Sequence, residues 1–326
     1  MGKIEESRKK IDYLRLSITD RCNLNCIYCT PLEKKDFLTH DEVLRYEEMA
    51  RIVKLFVKSG IRKVRITGGE PLIKKGIVDL VRIIKEIDGV EELSMTTNGV
   101  YLKDFARELK DAGLRGINVS IDTLKRERFK FITGLDCFNN VWQGIEEALE
   151  IGLMPLKLNV IPMKGINDDE ILDFARLTLE YPITVRFIEF FLVNKRSEAL
   201  KSRLIENDTV KNKIEEKFSR MEAGPEATGN GPAKYYRLKA GKGLIGFISG
   251  STTNFCNQCN RIRLDCAGRV SPCLFSGCIY DIRSLIRENK KDDEIFARIK
   301  RIFKEKSQYK KETINTRRIE MSSIGG

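Results

Sequence analysis

A strand–loop–helix unit recurs six times up to residue 189, and this repetition constrains the fold more than any other feature of the sequence. Runs of alternating or continuous apolar residues predict strands at 13–19, 63–67, 92–96, 116–121, 156–161 and 183–189. Apolar residues at helical spacing predict helices at 41–59, 74–87, 103–112, 125–132, 138–150 and 168–180. Short connections, with no hairpin signal before residue 230, indicate a parallel sheet with crossover helices, either a barrel or a doubly wound sheet.

The pattern changes after the sixth strand. Residues 194–232 are charged and then contain paired glycines and prolines, which predicts a connecting region with one helix near 208–218. Further short strands are predicted at 235–238, 244–249, 261–265 and 269–271. Two helices within 281–304 and a basic tail complete the chain. Because there are six units instead of eight, we expect an α/β fold with an incomplete (β/α)6 TIM-type barrel at 1–193, a connecting region at 194–233 and a C-terminal extension with short strands at 234–326.

Charge and apolar content narrow the classes of protein that the chain can be. Lys and Arg exceed Asp and Glu by 12, which indicates either a solvated basic surface or an anionic ligand, a polyphosphate or a nucleic acid. Aromatic residues are not interleaved with the bases, which argues against nucleic acid. No apolar run approaches the ~20 residues that span a bilayer, and the first residues show no signal peptide. The nine cysteines fall mostly in two clusters, which favours metal-bound thiolates in the cytoplasm over a secreted disulfide scaffold.

The first cysteine cluster directly follows the first predicted strand and consists of Cys22, Cys26 and Cys29. Three thiolates in a loop at the end of a strand can hold iron–sulfur or zinc. A structural zinc site requires four ligands, and the one histidine of the chain, His40, is not nearby in the sequence. Three thiolates suit a 4Fe–4S cluster with one open iron, and a zinc loop or disulfide cysteines are the alternatives.

The second cysteine cluster lies nearer the C-terminus and again contains three cysteines without a histidine: Cys256, Cys259 and Cys273. Taken alone, CxxC followed by later cysteines is most typical of a zinc ribbon. Cys266 and Cys278 lie close by in the sequence and could add ligands. Beside a first iron–sulfur loop, three thiolates without histidine also suit a second, auxiliary cluster.

The motif CxxxCxxC with an aromatic residue before the last cysteine resembles the signature of the radical S-adenosylmethionine (SAM) enzymes. The segments LRLSITDRCNLNCIYC, RITGGEPL, TTNG, NVSID, KGIND, RFIEF, AKYYR, FCNQCNRIRL and the terminal IGG resemble the GTP 3′,8-cyclases of molybdenum cofactor biosynthesis over nearly the whole chain. This resemblance implies two 4Fe–4S clusters, with SAM bound at the first and the substrate purine held at the second. It also implies conversion of GTP to 3′,8-cyclo-7,8-dihydro-GTP, in which a 5′-deoxyadenosyl radical removes the ribose 3′ hydrogen and the resulting carbon radical attacks guanine C8.

The resemblance also implies roles for individual residues. Metal ligands would be Cys22, Cys26, Cys29, Cys256, Cys259 and Cys273, and SAM contacts would be Tyr28, Gly69, Ser120 and Phe191, the last where the family often has Met. Substrate contacts would be Arg15, Arg65, Thr96, Lys157, Arg261, Ile262 and Arg263, and the catalytic residues Arg15, Gly325 and Gly326. Cations on buried strands require an anionic partner, so the alternative for Arg15, Arg65 and Lys157 is an internal ion pair with Glu70 or Glu189.

The same resemblance implies GTP as the substrate, an electron donor such as a flavodoxin or ferredoxin, and cyclic pyranopterin monophosphate synthase as the downstream enzyme. Neither a membrane nor a nucleic acid is expected as a partner, and the oligomeric state, a homodimer included, stays open. One alternative is another radical SAM enzyme with an auxiliary cluster that acts on a peptide. A second alternative is a zinc-binding nucleic-acid module.

Overall fold

A computed structural model of the chain describes residues 10–29, 37–191, 194–224, 233–250, 259–274 and 279–308. Within these residues, twelve strands form one sheet. The strands are β1 (Tyr13–Ser17), β2 (Lys63–Thr67), β3 (Glu92–Thr97), β4 (Ile117–Ser120), β5 (Leu156–Val160), β6 (Thr184–Ile188), β7 (Glu222–Ala223), β8 (Lys234–Arg237), β9 (Leu244–Ile248), β10 (Arg261–Leu264), β11 (Arg269–Ser271) and β12 (Tyr280–Asp281). Their order across the sheet is β12-β11-β10-β1-β2-β3-β4-β5-β6-β9-β8-β7.

The helices cover one face of this sheet. They are α1 (Tyr46–Lys58), α2 (Ile77–Lys85), α3 (Leu102–Asp111), α4 (Arg126–Thr133), α5 (Phe138–Glu150), α6 (Ile171–Glu180), α7 (Lys195–Ala199), α8 (Asn207–Phe218), α9 (Arg283–Arg287) and α10 (Asp292–Gln308). The sequence did not predict α7, because five residues are too few to show helical periodicity. It also began α1 too early, since His40–Glu42 forms a separate 3-10 turn. None of the helices in the described ranges is long and apolar enough to cross a membrane.

Eight strands at the centre of the sheet run parallel, in the order β10-β1-β2-β3-β4-β5-β6-β9. The strands at the two ends of the sheet, β12 and β7, do not pair with each other, so the sheet is open. This arrangement confirms the predicted incomplete barrel. The short C-terminal strands do not form a sheet of their own: β9 pairs with β6 and β10 pairs with β1, each parallel. Sequence periodicity cannot show such pairing, because it reports local conformation alone.

The parallel strands alternate between an apolar face and a polar face. Residues such as Leu14, Leu16, Val64 and Ile66 are fully buried and belong to the core that the helices cover. The residues between them are polar or charged, which is unusual for strands of a parallel sheet with both faces covered. The polar face therefore offers a surface on which a polar or charged ligand can bind.

The last helix, α10, packs on α1 and closes the core on the side of β1. Phe56 and Phe303 have their ring centroids 5.9 Å apart. At the start of α10, Asp292 accepts a hydrogen bond of 2.8 Å from Arg51 Nε. Ile299 is fully buried in the same core as the barrel strands. The C-terminal helix is therefore part of the barrel core.

We predict that Ile299→Ala lowers the free energy of unfolding by about 2–5 kcal/mol, because it leaves a cavity between α10 and α1. Urea unfolding of the full chain under anaerobic conditions measures the change. Lys300→Ala, one residue further on the exposed side of the helix, serves as the control and should change the same quantity by less than about 1 kcal/mol, because it removes only an exposed cation–π contact with Phe296. Equal effects of the two substitutions would contradict a shared core.

Candidate active site on the polar face of the sheet

The first cysteine loop follows β1, at the carboxyl end of the parallel strands. It carries Cys22, Cys26 and Cys29. The backbone N–H of Asn25 donates to the Thr133 carbonyl at 2.9 Å, and that of Ile27 donates to the Ile132 carbonyl at 3.0 Å. These two bonds tie the loop to the end of α4, so its backbone course is fixed by the fold.

The thiols of this loop oppose each other's ionisation. Burial, followed by Cys29, Asp122 and Cys22, raises the pKa of Cys26 well above its ordinary value. Burial and the nearby Glu70 raise the pKa of Cys22. A bound metal cation reverses both effects, since it stabilises thiolates. Three soft sulfur donors therefore fit an iron–sulfur cluster, although no group of three or more Cys, His, Asp or Glu side chains in the described ranges is already arranged around a common metal-ion position.

The GGEP segment after β2 runs directly against the chain that enters the cysteine loop. The N–H of Gly69 donates to the Thr19 carbonyl and that of Glu70 to the Arg21 carbonyl, both at 2.8 Å. A Cβ atom on Gly69 would lie 2.1 Å from the Arg21 carbonyl oxygen. Only glycine fits at this position, because the two backbones approach too closely for any side chain.

Glu70 is buried and connects the ends of β2 and β3. Its carboxylate accepts hydrogen bonds from Thr97 Oγ1 at 2.7 Å, Asn98 N at 2.6 Å and Leu72 N at 2.9 Å. Burial raises the pKa of Glu70 to about 7, and these three hydrogen bonds oppose the rise. The Asn98 side chain lies 3.8 Å from Cys22 Sγ, so Glu70 also fixes a neighbour of the first cysteine.

Tyr28 is held in the same region by a carboxylate that sequence reasoning missed. Its hydroxyl donates to Asp122 Oδ2 at 2.5 Å, and Asp122 Oδ1 accepts a bond of 2.8 Å from Ile161 N. The Tyr28 ring meets Phe190 edge-on, with centroids 6.1 Å apart. Burial raises the pKa of Asp122 to about 6. The signal that could have identified Asp122 is its place just beyond the carboxyl end of β4, where parallel folds position ligand contacts.

The middle of the polar face carries like charges side by side. Arg15 on β1 stands in register with Arg65 on β2 and with Arg263 on β10. Because neighbouring strands in register point their side chains to the same face, these three guanidinium groups share one surface. We call the set the cationic face; its members are Arg15, Arg65, Lys157, Arg186, Arg261 and Arg263.

The members of the cationic face oppose one another's protonation. Burial and the charge of Arg263 lower the pKa of Arg15 well below its usual range. Burial, Arg186 and Arg65 lower the pKa of Lys157 to about 7. Arg65 Nε is buried and has no hydrogen-bond partner among the described residues. This surface therefore favours a multiply charged anion as its ligand.

Arg186 is a further member of this face that the sequence reasoning did not single out. It lies on β6, and its guanidinium donates to Asn159 Oδ1 at 2.9 Å and 2.5 Å. The alternation along β6 could have revealed it, because Arg186 lies between the fully buried Val185 and Phe187.

The remaining predicted contact residues are distributed along the same sheet. Thr96 lies on β3 and faces the polar side, and Ser120 is the last residue of β4. The Phe191 ring fills the space over Gly250, where an added Cβ atom would lie 1.8 Å from the ring. The Ile262 side chain is fully buried on the apolar face, so a contact of this residue with substrate has to come from its backbone.

The second cysteine site lies at the opposite end of the strands. Cys259 precedes β10 and Cys273 follows β11, and the two strands pair antiparallel, which brings these cysteines to the same end. Burial alone would raise the pKa of the Cys259 thiol, but the charges of Lys306, Arg261 and Arg263 together lower it. The donor chemistry therefore fits a thiolate-bound metal centre. The other predicted residues of this region, Cys256, Gly325 and Gly326, lie outside the described residues, as does Cys278.

Cys266 is not placed to replace a ligand of the second site. It lies in the turn between β10 and β11, at the far end of β10 from Cys259. It is almost completely buried, and its carbonyl accepts a hydrogen bond of 2.8 Å from Leu44 N. The length of a four-residue strand, about 10–13 Å, separates it from Cys259.

The two cysteine sites thus lie at opposite ends of the polar face. Tyr13, the first residue of β1, is in register with Arg261, so Cys259 lies where β1 begins. Cys22 lies beyond the end of β1. A five-residue strand spans about 15 Å, and the cationic face fills this interval. A ligand of nucleotide size could contact both ends.

Comparison with protein-family models gives matches over most of the chain. A family described as "Radical SAM superfamily" matches residues 16–178. A family described as "Molybdenum Cofactor Synthesis C" matches residues 183–312, which include β8 to β12 and α10.

Among solved structures, the chain resembles SuiB from Streptococcus suis. With the SAM-bound form it shares a TM-score of 0.57 at 15% identity, covering 89% of this chain and 68% of SuiB. With another structure of SuiB the TM-score is 0.58 at 14% identity, covering 90% of this chain and 68% of SuiB. At such identity the likeness supports the fold alone.

Curated relatives are more similar and of nearly equal length. The GTP 3′,8-cyclase of Heliobacterium modesticaldum is 46% identical over 91% of this chain and 90% of its own length. Those of Desulforamulus reducens and Thermodesulfovibrio yellowstonii are 43% and 44% identical, covering 99% and 98% of this chain and 100% and 98% of their own lengths. Similarity at this level, over nearly the whole chain and with both family models, shows that the chain belongs to the GTP 3′,8-cyclase family of radical SAM enzymes.

Proposed function

We propose that this protein converts GTP to 3′,8-cyclo-7,8-dihydro-GTP, an early step of molybdenum cofactor biosynthesis. The observation that carries the proposal is the cationic face, which lies between two cysteine sites at opposite ends of one sheet. A triphosphate carries several negative charges that can pair with this set of cations, and a purine nucleotide is long enough to reach from one site toward the other. A peptide substrate has no comparable need for clustered buried cations.

The cationic face would hold the triphosphate of GTP. Guanidinium groups such as Arg15, Arg65 and Arg263 can form paired hydrogen bonds with phosphate oxygens, while Lys157 acts as a point charge. Their mutual repulsion is relieved when the anion binds, so part of the electrostatic cost of burying them is recovered only in the complex. The orphaned Nε of Arg65 would gain a partner in the same step.

The sites proposed for the two clusters and SAM lie at the two ends of the cationic face. Cys22, Cys26 and Cys29 would hold one 4Fe–4S cluster, with Tyr28, Gly69, Ser120 and Phe191 around SAM, and Cys256, Cys259 and Cys273 would hold the second cluster. When bound, the first cluster and SAM supply the 5′-deoxyadenosyl radical that removes the ribose 3′ hydrogen, and the second holds the purine. The protein's own part is to fix the ribose and guanine within contact range and to exclude water from the reacting atoms.

Further parts of the proposal rest on family membership. Arg15, together with Gly325 and Gly326 of the tail, would act at the reacting nucleotide; Thr96, Arg261 and the backbone of Ile262 would contact it. A flavodoxin or ferredoxin would supply the electron, and cyclic pyranopterin monophosphate synthase would take up the product in the cytoplasm. The division into a partial barrel, a connecting region and a C-terminal auxiliary-cluster region stays part of this proposal.

The proposed function predicts a cyclised nucleotide. The protein, purified without oxygen and reconstituted with iron and sulfide, should form 5′-deoxyadenosine and a dihydro-cyclo-GTP in equal amounts from SAM, a reductant and GTP. Mass spectrometry and chromatography of the products measure this. ATP in place of GTP is the control and should give no cyclised product. Formation of 5′-deoxyadenosine without a modified nucleotide would exclude the proposal.

A second prediction concerns Lys157 and pH. In the free protein the pKa of Lys157 is about 7, so at pH 8.5 most molecules carry this side chain as a neutral amine. A bound triphosphate favours the charged form, so binding takes up a proton above pH 7, and GTP affinity should fall as the pH rises. We expect the Kd for GTP to increase about tenfold between pH 7.0 and 8.5, because this interval lies above the pKa of Lys157 in the free protein. Anaerobic equilibrium dialysis of GTP, without SAM, measures it.

The matched variants assign this effect to one residue. Lys157→Gln should bind GTP more weakly at pH 7.0 and show less than a threefold change in Kd over the same range. Lys103→Gln, at an exposed lysine on α3, should retain the wild-type pH dependence. If Lys157→Gln retains the full tenfold change, another group titrates and the assignment to Lys157 fails.

A third prediction concerns the tail. A chain that ends at Ile324 should lose at least about 90% of product formation, because the proposal places Gly325 and Gly326 at the reacting nucleotide. The same chain should keep its iron content and its GTP affinity within about twofold, because the cationic face is intact. Product formation at the wild-type rate would remove these glycines from the catalytic set.

A further inference from the structure

Lys306 is a buried lysine that neither the proposed substrate site nor the proposed SAM site uses. It lies in the last turn of α10 with an exposed fraction of 9%. Lysine is almost never buried to this extent unless it has partners. A cation at the end of a helix ordinarily compensates the helix dipole from the solvent, and burial is not needed for that effect. The position of Lys306 therefore requires another explanation.

The ammonium group of Lys306 reaches both described cysteines of the second site. Lys306 Nζ donates a hydrogen bond of 2.8 Å to the carbonyl of Pro272, which immediately precedes Cys273. The same Nζ lies 3.8 Å from Cys259 Sγ. One side chain thus contacts a sulfur on one cysteine and the backbone next to the other.

Lys306 approaches this site from the helical layer and not from the cationic face. Its helix packs on α1, where Phe303 meets Phe56. On β10, Arg261 and Arg263 point to the polar face, while Ile262 between them is buried toward the helices. Arg261 and Arg263 can therefore serve the nucleotide, whereas Lys306 reaches the cysteines from the helical layer.

We propose that Lys306 is a positioning residue for the second iron–sulfur cluster, whose ammonium raises the reduction potential of that cluster and orients the Cys273 backbone through Pro272. This inference rests on the proposed function, since it presupposes a cluster at Cys256, Cys259 and Cys273. Reduction adds one electron to the cluster, and a fixed positive charge beside a thiolate ligand favours the more negative state. Net charge and hydrogen bonds to sulfur are the quantities that set such potentials.

The test compares the charge with the hydrogen bond. Lys306→Gln removes the charge and keeps a donor for the Pro272 carbonyl, whereas Lys306→Arg keeps both. Lys300→Gln, on the exposed side of the same helix, is the control. Each full-length protein is reconstituted with both clusters and titrated with dithionite under electron paramagnetic resonance. The couple absent from a Cys273→Ser chain identifies the second cluster.

We expect the oxidised-to-reduced ratio of the second cluster at a fixed solution potential to rise about tenfold in Lys306→Gln, a shift of 59 mV to lower potential. Lys306→Arg and Lys300→Gln should stay within twofold of wild type, and GTP affinity should change by less than threefold in every variant that retains both clusters. Loss of the second cluster in Lys306→Gln alone, shown by iron content, would also support a role for the charge. Equal potentials in Lys306→Gln and wild type, or equal iron loss in both Lys306 variants, would overturn the proposal.

This outcome is separable from that of the proposed function. A protein that contains both clusters but makes no cyclised nucleotide would contradict GTP cyclisation and still report the effect of Lys306. A protein in which Cys273→Ser removes no iron would contradict the second cluster itself and, with it, the role of Lys306.

Discussion

The structure depends on the burial of like charges on one face of a parallel sheet. Strand pairing in register places Arg15 between Arg65 and Arg263, so the backbone hydrogen bonds that build the barrel also force the guanidinium groups together. Burial and mutual repulsion both disfavour their charged forms, as the lowered pKa values of Arg15 and Lys157 show. Folding energy from the apolar face has to offset this cost until an anion binds. Because these cations are fixed on paired strands, they would hold a polyphosphate more rigidly than side chains on a loop could.

The sequence predicted the six barrel strands well, because alternation of apolar residues and the turns that follow are local signals. It could not place β9 and β10 in the same sheet, since Tyr13 pairs with Arg261 across about three quarters of the chain. Single residues were missed for the same reason. Lys306 looks like a solvated helix lysine until the packing of α10 is known, and Asp122 looks like the end of a strand until Tyr28 is seen to donate to it.

The structure gives a physical reason for the predicted substrate contacts. Arg15, Arg65 and Lys157 were singled out because cations on buried strands need an anionic partner. Glu70, one of the carboxylates that could have paired with them, is instead engaged by Thr97, Asn98 and Leu72. A carboxylate already satisfied by three donors has little capacity left for a guanidinium, which argues against an ion pair with Glu70. Glu189, the other carboxylate considered, accepts a hydrogen bond of 3.1 Å from Asn207 N.

The two cysteine sites use the same ligand type in opposite electrostatic surroundings. At the carboxyl end of the strands, Glu70 and Asp122 lie near the thiols and help to raise the pKa values of Cys22 and Cys26. At the other end, Lys306, Arg261 and Arg263 lower the pKa of Cys259. Negative surroundings disfavour the reduced form of a cluster, and positive surroundings favour it. On the proposed function, the site that would give up an electron is the one beside carboxylates, and the site that would hold the substrate is the one beside cations. This gradient runs along the face on which the triphosphate would lie, so the charges proposed to bind the substrate would also keep the potentials of the two clusters apart.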